Sequence, residues 1–406
     1  MAGMPTTLAT TSFTPAQSRT LIRAVLGIFG VNGIMVGAWG GALPGLRERV
    51  HTDASGIGML LLLAGASAIV SMQIGGRISD RHTPRLPALA SGVTLALGLL
   101  LAAMAPNYAT LLLAGVLIGA SNGAMDVAMN ALGVDAEQTS ERTVMSRFHA
   151  LFSLGGFIGS LLVVGLSRLQ GGHDVDPRRA LVGAAAVACV GLAVLFATTP
   201  RAPHTADHGA QAASDPAPRG LPPQAWLLGV MALFFGFTEG TAIDWASIHV
   251  TDVAHVDPAV GAAGLVCVSA TMVIIRLLGD ALVARLGRAA VVRFGAPVAV
   301  VGFVVTIVSS ALPVILLGWL LVGLGVGMIA PQIYAIAGHI GGGRVLAIVT
   351  AFGYTAFLAG PGLIGFLSNH FGIQRAMILP LVAGLLLTAL TFTSALREPG
   401  GTTAKG

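Results

Sequence analysis

The chain reads as an all-α integral membrane protein of twelve transmembrane helices, arranged as two bundles of six. Three observations predict this. Apolar residues make up 55% of the 406 and charged residues only 10%, whereas a soluble domain carries about 25% charged residues. So few charges cannot cover a water-facing surface, so lipid must solvate the excess. The apolar residues fall into twelve runs, each near the ~20 residues a helix needs to cross the hydrocarbon core. One polar stretch, rich in Pro, Ala, His and Asp, divides the runs six from six.

The first six helices are predicted at 22–43, 55–77, 86–105, 108–133, 146–167 and 179–198. The second six are predicted at 224–250, 258–281, 290–311, 313–338, 345–368 and 375–395. The domain layout is then a tail over 1–20, a bundle over 21–198, a linker over 199–223, a bundle over 224–397 and a tail over 398–406. Glycine, at 55 residues, suits helices that approach closely in lipid. The first run is too long for a signal-peptide core and lacks a clear cleavage site, so no cleaved leader is expected.

Orientation follows from the basic residues, which favour the cytoplasmic side. With the N-terminus inside, 16 of the 22 Arg and Lys fall on the cytoplasmic side and 6 outside. Both termini are therefore expected in the cytoplasm of a bacterial inner membrane. The halves also repeat weakly. Asn32-Gly33 corresponds to Glu239-Gly240, Gly115 and Gly119 to Gly323 and Gly327, and Arg81 to Arg285, at offsets of 207, 208 and 204. Such matches point to a duplicated six-helix unit.

Composition also excludes. The net charge of +5 comes from scattered Arg, not one basic stripe, so no nucleic-acid partner is expected. The two cysteines, Cys189 and Cys267, lie within apolar runs, so neither a disulfide nor a metal site is expected. The one lysine is Lys405, so no P-loop lysine exists to reach a nucleotide phosphate. Gly119-Ala120-Ser121-Asn122-Gly123 matches the hydrolase elbow G-x-S-x-G. That elbow needs a strand-turn-helix, and this copy lies inside a predicted membrane helix. No enzyme activity and no cofactor are expected.

The loop after helix 2, Gly76-Arg77-Ile78-Ser79-Asp80-Arg81 with Arg85 following, resembles the loop motif of the major facilitator superfamily. Thr83 and Pro84 depart from that pattern, and the second-half copy Arg285-Leu286-Gly287-Arg288 lacks the acid. The resemblance covers 20 to 397. Within the superfamily, Asp126-Val127-Ala128-Met129-Asn130-Ala131-Leu132-Gly133 and Phe148-His149-Ala150-Leu151-Phe152-Ser153-Leu154-Gly155-Gly156 are similar to the fucose permease group, as is Thr238-Glu239-Gly240 with Asp244-Trp245. The resemblance implies a central cavity lined by helices 1, 4, 7 and 10, proton coupling at the Asp126 position, and a gating role for Asp80, Arg81 and Arg85. The helix 5 Gly-Pro pair of drug exporters is absent.

An ionisable group at membrane depth costs at least about 2.5 kcal/mol, so it is a functional candidate by default. Asp126 lies two-thirds along helix 4, and Asn122, Asp126 and Asn130 share one face at four-residue spacing. A carboxyl removed from water there suits reversible protonation; its alternative is a hydrogen bond to Asn130 that pins helices. Glu239 is the second proton or substrate candidate. Asp244, five residues on, faces elsewhere and suits the outer mouth. Asn32, Asn122, Asn130, Trp39, Trp245, Gln332 and Tyr334 are the candidate substrate contacts, with Gln332 and Tyr334 beside the kink expected at Pro331. Arg276 and Asp280 are expected to pair locally at the inner end of helix 8, with a snorkelling Arg. The expected function is proton-coupled symport of a small sugar-like solute by a monomer. An exporter of the same fold and a non-transporting membrane sensor are the alternatives.

Overall fold

In the computed structural model, residues 14–81, 83–140, 144–168, 176–198 and 221–396 are described. Among them the regular structure is helical, and twelve helices are long and apolar enough to cross a membrane. These are α1 (Pro15–Arg49), α2 (Ala54–Ile78), α3 (Arg85–Met104), α4 (Tyr108–Glu137), α5 (Arg147–Leu166) and α6 (Arg178–Thr198). The second set is α7 (Pro223–Ala254), α8 (Pro258–Gly279), α9 (Arg288–Val308), α10 (Leu312–Ile340), α11 (Ile348–Phe371) and α12 (Ile373–Leu390). The predicted linker lies largely outside the described residues.

Helix α1 starts seven residues before the apolar run does. Thr14 Oγ1 accepts from the Gln17 amide, Gln17 Oε1 accepts from the Thr14 amide, and Pro15 opens the first turn. That capping box fixes a start in the polar segment, which hydropathy does not see. At its other end α1 runs to Arg49, so Arg47 sits on a rigid last turn and not in a loop. Helix α8 begins with a separate turn, Pro258–Gly261, capped by Asp257, whose Oδ1 accepts from the Val260 amide. Continuous helix then runs over Ala263–Leu286, five residues past the predicted end. The backbone also stays helical from Ile329 to Phe371, across the loop predicted between α10 and α11.

The packing is the same in both halves. Helix α1 packs on α5 and α6, α2 on α4, and α3 on α4 and α6; likewise α7 packs on α11 and α12, α8 on α10, and α9 on α10 and α12. The glycines paired by the sequence repeat make equivalent contacts. A Cβ on Gly119 of α4 would lie 2.0 Å from the Ala64 carbonyl oxygen of α2, and one on Gly323 of α10 would lie 2.4 Å from the Val268 carbonyl oxygen of α8. Both helix pairs therefore touch backbone to backbone, as small residues allow in lipid. Helix α1 packs on α5 as closely, where a Cβ on Gly33 would lie 2.0 Å from the Phe152 carbonyl oxygen and one on Gly37 2.1 Å from the Gly156 carbonyl oxygen.

The halves meet along a seam formed by α2 with α11 and α5 with α8. Gly58 of α2 faces Pro361 and Gly365 of α11, with a Gly58 Cβ placed 2.9 Å from both the Pro361 carbonyl oxygen and the Gly365 Cα. At the end opposite the termini, Arg47 of α1 grips Asp252 of α7 with both Nη atoms on both carboxylate oxygens.

Candidate functional site

Two charged centres sit halfway along the helices, one in each half. In the first, the four-residue spacing on α4 places Asn130 over Asp126. Asn130 Nδ2 donates to the Asp126 carbonyl at 2.8 Å and to Asp126 Oδ1 at 3.2 Å. The other carboxylate oxygen, Oδ2, accepts from Tyr354 Oη on α11 at 3.4 Å. This bond crosses from one half to the other. Asp126 is half-buried and Tyr354 is 36% exposed, so both keep surface open beside the seam they bridge. Among the described residues no cation contacts Asp126.

The second centre is an ion pair. Arg276 Nη2 of α8 donates to Glu239 Oε1 of α7 at 3.1 Å. The same guanidinium donates through Nη1 to Ser153 Oγ of α5 at 2.5 Å and through Nε to the Gly327 carbonyl of α10 at 3.1 Å. Arg276 thus ties three helices of its own half and reaches one of the other. Tyr334 of α10 is within electrostatic reach of both Glu239 and Asp126.

This corrects the expectation of a snorkelling Arg276: its guanidinium turns into the bundle, to Glu239. A predicted helix end at 281 put it five residues from the water. The helix runs to Leu286, so Arg276 lies ten residues, or about 15 Å, inside that end. The side chain of Asp280 lies outside the described residues, as do those of Asp80 and Arg81.

The structure gathers only part of the expected substrate set around these centres. Asn130 and Tyr334 belong there. Asn32 is buried at 1% exposure and donates to Met129 Sδ at 3.5 Å, one residue before Asn130. Asn122 lies one turn from Asp126, with Oδ1 buried and without a hydrogen-bond partner among the described residues. Gln332 is buried and accepts from Arg288 Nη1 at 3.0 Å, so it braces the start of α9. Trp39 and Trp245 are buried, Trp245 fully, within the helix core. In this conformation neither offers an open ring face to a solute, contrary to expectation. Arg85 turns to its own half, where it donates to the Phe196 carbonyl and stacks on the Phe196 ring at 4.6 Å. Ser121 of the false hydrolase elbow donates to Thr94 Oγ1 at 2.8 Å. Asp244 is half-buried with no hydrogen bond or ion pair among the described residues.

Sequence reasoning missed Tyr354, and it missed that Arg276 meets Glu239 and Ser153. Tyr354 had a signal: it is one of only three tyrosines and falls inside a predicted span. Also missed was the Arg47–Asp252 pair. It borders a cleft of about 610 Å³ lined by Glu48, His51, Asp53, Ser368 and Asn369, among others. That cleft lies at the far end of the helices from the two centres. Asp252 lies thirteen residues beyond Glu239 on α7, about 20 Å along the helix.

Two pseudo-equivalent six-helix bundles with charged groups at their shared seam define a membrane transporter of the two-bundle class. Comparison with known proteins agrees. Residues 25–343 match the family described as Major Facilitator Superfamily, and the chain belongs to that family. It is 31% identical over 355 residues to the uncharacterized transporter y4wD of Sinorhizobium fredii (strain NBRC 101917 / NGR234), covering 86% of this chain and 91% of that protein. Among solved structures it resembles a bacterial homolog of the human lysosomal transporter Spinster, in an inward-facing and occupied conformation. The TM-score is 0.75 at 15% identity, over 94% of this chain and 97% of that one. It also resembles a mutant of the nucleoside transporter NupG, with a TM-score of 0.72 at 12% identity, over 92% and 100%.

Proposed function

We propose that the protein is a proton-coupled symporter that carries a small polar, sugar-like solute by alternating access, with Asp126 as the coupling acid. The observation that carries this reading is the setting of Asp126. It is a carboxyl at membrane depth, held by Asn130, without a contacting cation, and bonded across the seam to Tyr354. An acid of this kind is expensive to keep charged in lipid, so proton binding and the state of the seam are linked. Protonation changes what Tyr354 can bond to, and that biases the two halves toward one arrangement.

The experiment is uptake into proteoliposomes. Solutes are first chosen by thermal shift of the purified protein, because a ligand of the native state raises its melting point. An imposed pH step should then drive accumulation that a protonophore abolishes. Accumulation indifferent to the protonophore would overturn the coupling.

The same reading places both termini and residues 199–223 in the cytoplasm of a bacterial inner membrane, on the strength of the 16-to-6 distribution of basic residues. A cysteine at Ala212 in an otherwise cysteine-free variant should resist an impermeant reagent added to intact cells. Labelling from outside would reverse the orientation.

A further inference from the structure

The two ion pairs at the interface between halves are built differently. Arg47 and Asp252 close a full fork, two Nη atoms on two oxygens, the strongest geometry available to such a pair. Arg276 and Glu239 touch at one point only, Nη2 to Oε1. Glu239 Oε2 accepts no hydrogen bond among the described residues. A guanidinium has five N–H donors, and Arg276 directs three at protein groups. Two remain. The side chains of Arg276 and Glu239 retain 14% and 10% exposure, so a small group reaches them. Ser153, the third partner, belongs to the opposite half, so whatever binds Arg276 lies where the halves separate.

A buried guanidinium without an anion is penalised by several kcal/mol. With Glu239 offering one oxygen at one corner, one N–H on each Nη atom is left over, the number of donors a planar carboxylate takes. We propose that Arg276 anchors an anionic group, most simply a carboxylate, on the transported solute, with Glu239 as the counterion that holds the site between turnovers. This rests on the transporter reading above and deepens it by naming a substrate class: polar metabolites that carry an acid group. Charge balance then gives the coupling a cause. Arg276 and Glu239 cancel. An arriving monoanion adds one negative charge at a centre that shares Tyr334 as an electrostatic neighbour with Asp126. One proton moving from water onto the Asp126 carboxylate restores the balance. On release the anion and the proton leave together, and no net charge crosses. His149 also lies within electrostatic reach of Arg276; it stacks edge-on against Phe29 and needs no change of charge.

The test uses formate on the full-length purified protein, with formamide as its neutral counterpart. Glu239→Gln removes the resident counterion and leaves Arg276 in place. Its melting midpoint should climb by several degrees with formate and stay flat with formamide. The double variant Glu239→Gln/Arg276→Gln should respond to neither. If Glu239→Gln does not fold in anion-free buffer, formate during purification should restore its yield, and formamide should not. A Glu239→Gln protein whose melting and yield ignore formate overturns the proposal, as does an equal response in the double variant. No gradient is imposed, so this result stands apart from the coupling test. Proton-driven uptake alongside formate indifference would discard only the anion class.

Discussion

In the Asp126→Asn variant, accumulation driven by a pH gradient should vanish while exchange of solute down its own gradient survives. Asparagine copies the protonated carboxyl in shape and cannot release a proton. Its amide oxygen can still accept from Asn130, and its other terminal atom still sits opposite Tyr354 Oη, 3.4 Å away in the native protein. If Asp126 served only to pin α4 against α11, Asn would therefore serve nearly as well. The two roles predict opposite outcomes for one substitution of almost unchanged volume. The measurement is uptake under an imposed pH step compared with counterflow at equal pH on both sides. Normal uphill uptake by the variant would end the coupling role. Glu239→Gln belongs in the same experiment. Its accumulation should stay dependent on protons, because Glu239 is paired with Arg276 and not with Asp126.

Gly37→Ala should unfold or severely destabilise the protein, by more than about 3 kcal/mol. The added Cβ would lie 2.1 Å from the Gly156 carbonyl oxygen and 2.7 Å from the Gly156 carbonyl carbon and Cα. These are backbone atoms and cannot rotate away. Helix α5 would have to move off α1, and the loss would spread along the Gly33, Gly155 and Gly159 contacts that pack just as tightly. Gly165→Ala, also on α5, is the control, since its Cβ would meet nothing within 4 Å. There alanine's better helix propensity, worth up to about 1 kcal/mol, should leave stability equal or slightly raised. Thermal melting in detergent reads both. Equal melting points for the two variants would show that the α1–α5 contact is looser than described.

The twelve helices were legible because hydropathy and length are the terms that lipid enforces. The repeat was legible at Gly119 and Gly323 because close helix contact permits almost nothing else. Helix ends were less so. Thr14 and Gln17 set the start of α1 through hydrogen bonds in a polar segment, and the turn at Pro258–Gly261 set α8 apart from its first residues. At the other end of α8, a predicted stop at 281 instead of Leu286 hid Arg276, which hydropathy counted as a loop-edge charge. Asp126 and Glu239 were visible as isolated acids in apolar runs. Their partners were not, because Tyr354 is 228 residues from Asp126 and Arg276 is 37 from Glu239. Periodicity on one helix cannot report which neighbour it meets. The tryptophans misled for the same reason: Trp245 was placed on the right helix but faces the core.

The contact of Gly58 with Pro361 and Gly365 has a kinetic meaning. Helices usually mesh through side chains set into grooves, and sliding one past the other then proceeds by jumps from notch to notch. At Gly58, α2 and α11 meet backbone to backbone, and beside it Leu62 and Leu358 would meet a Cβ on Gly362 and Gly65 only in ordinary contact, at 3.5 Å. For the rocking motion proposed above, such a seam is a bearing: it carries load between the halves over shallow notches. Any catch in the cycle must then come from the polar contacts around it, Arg47 with Asp252, Arg276 with Ser153 and Tyr354 with Asp126. The dwell time in each state is therefore governed by electrostatics, and the glycine seam leaves the angle between the halves free to follow.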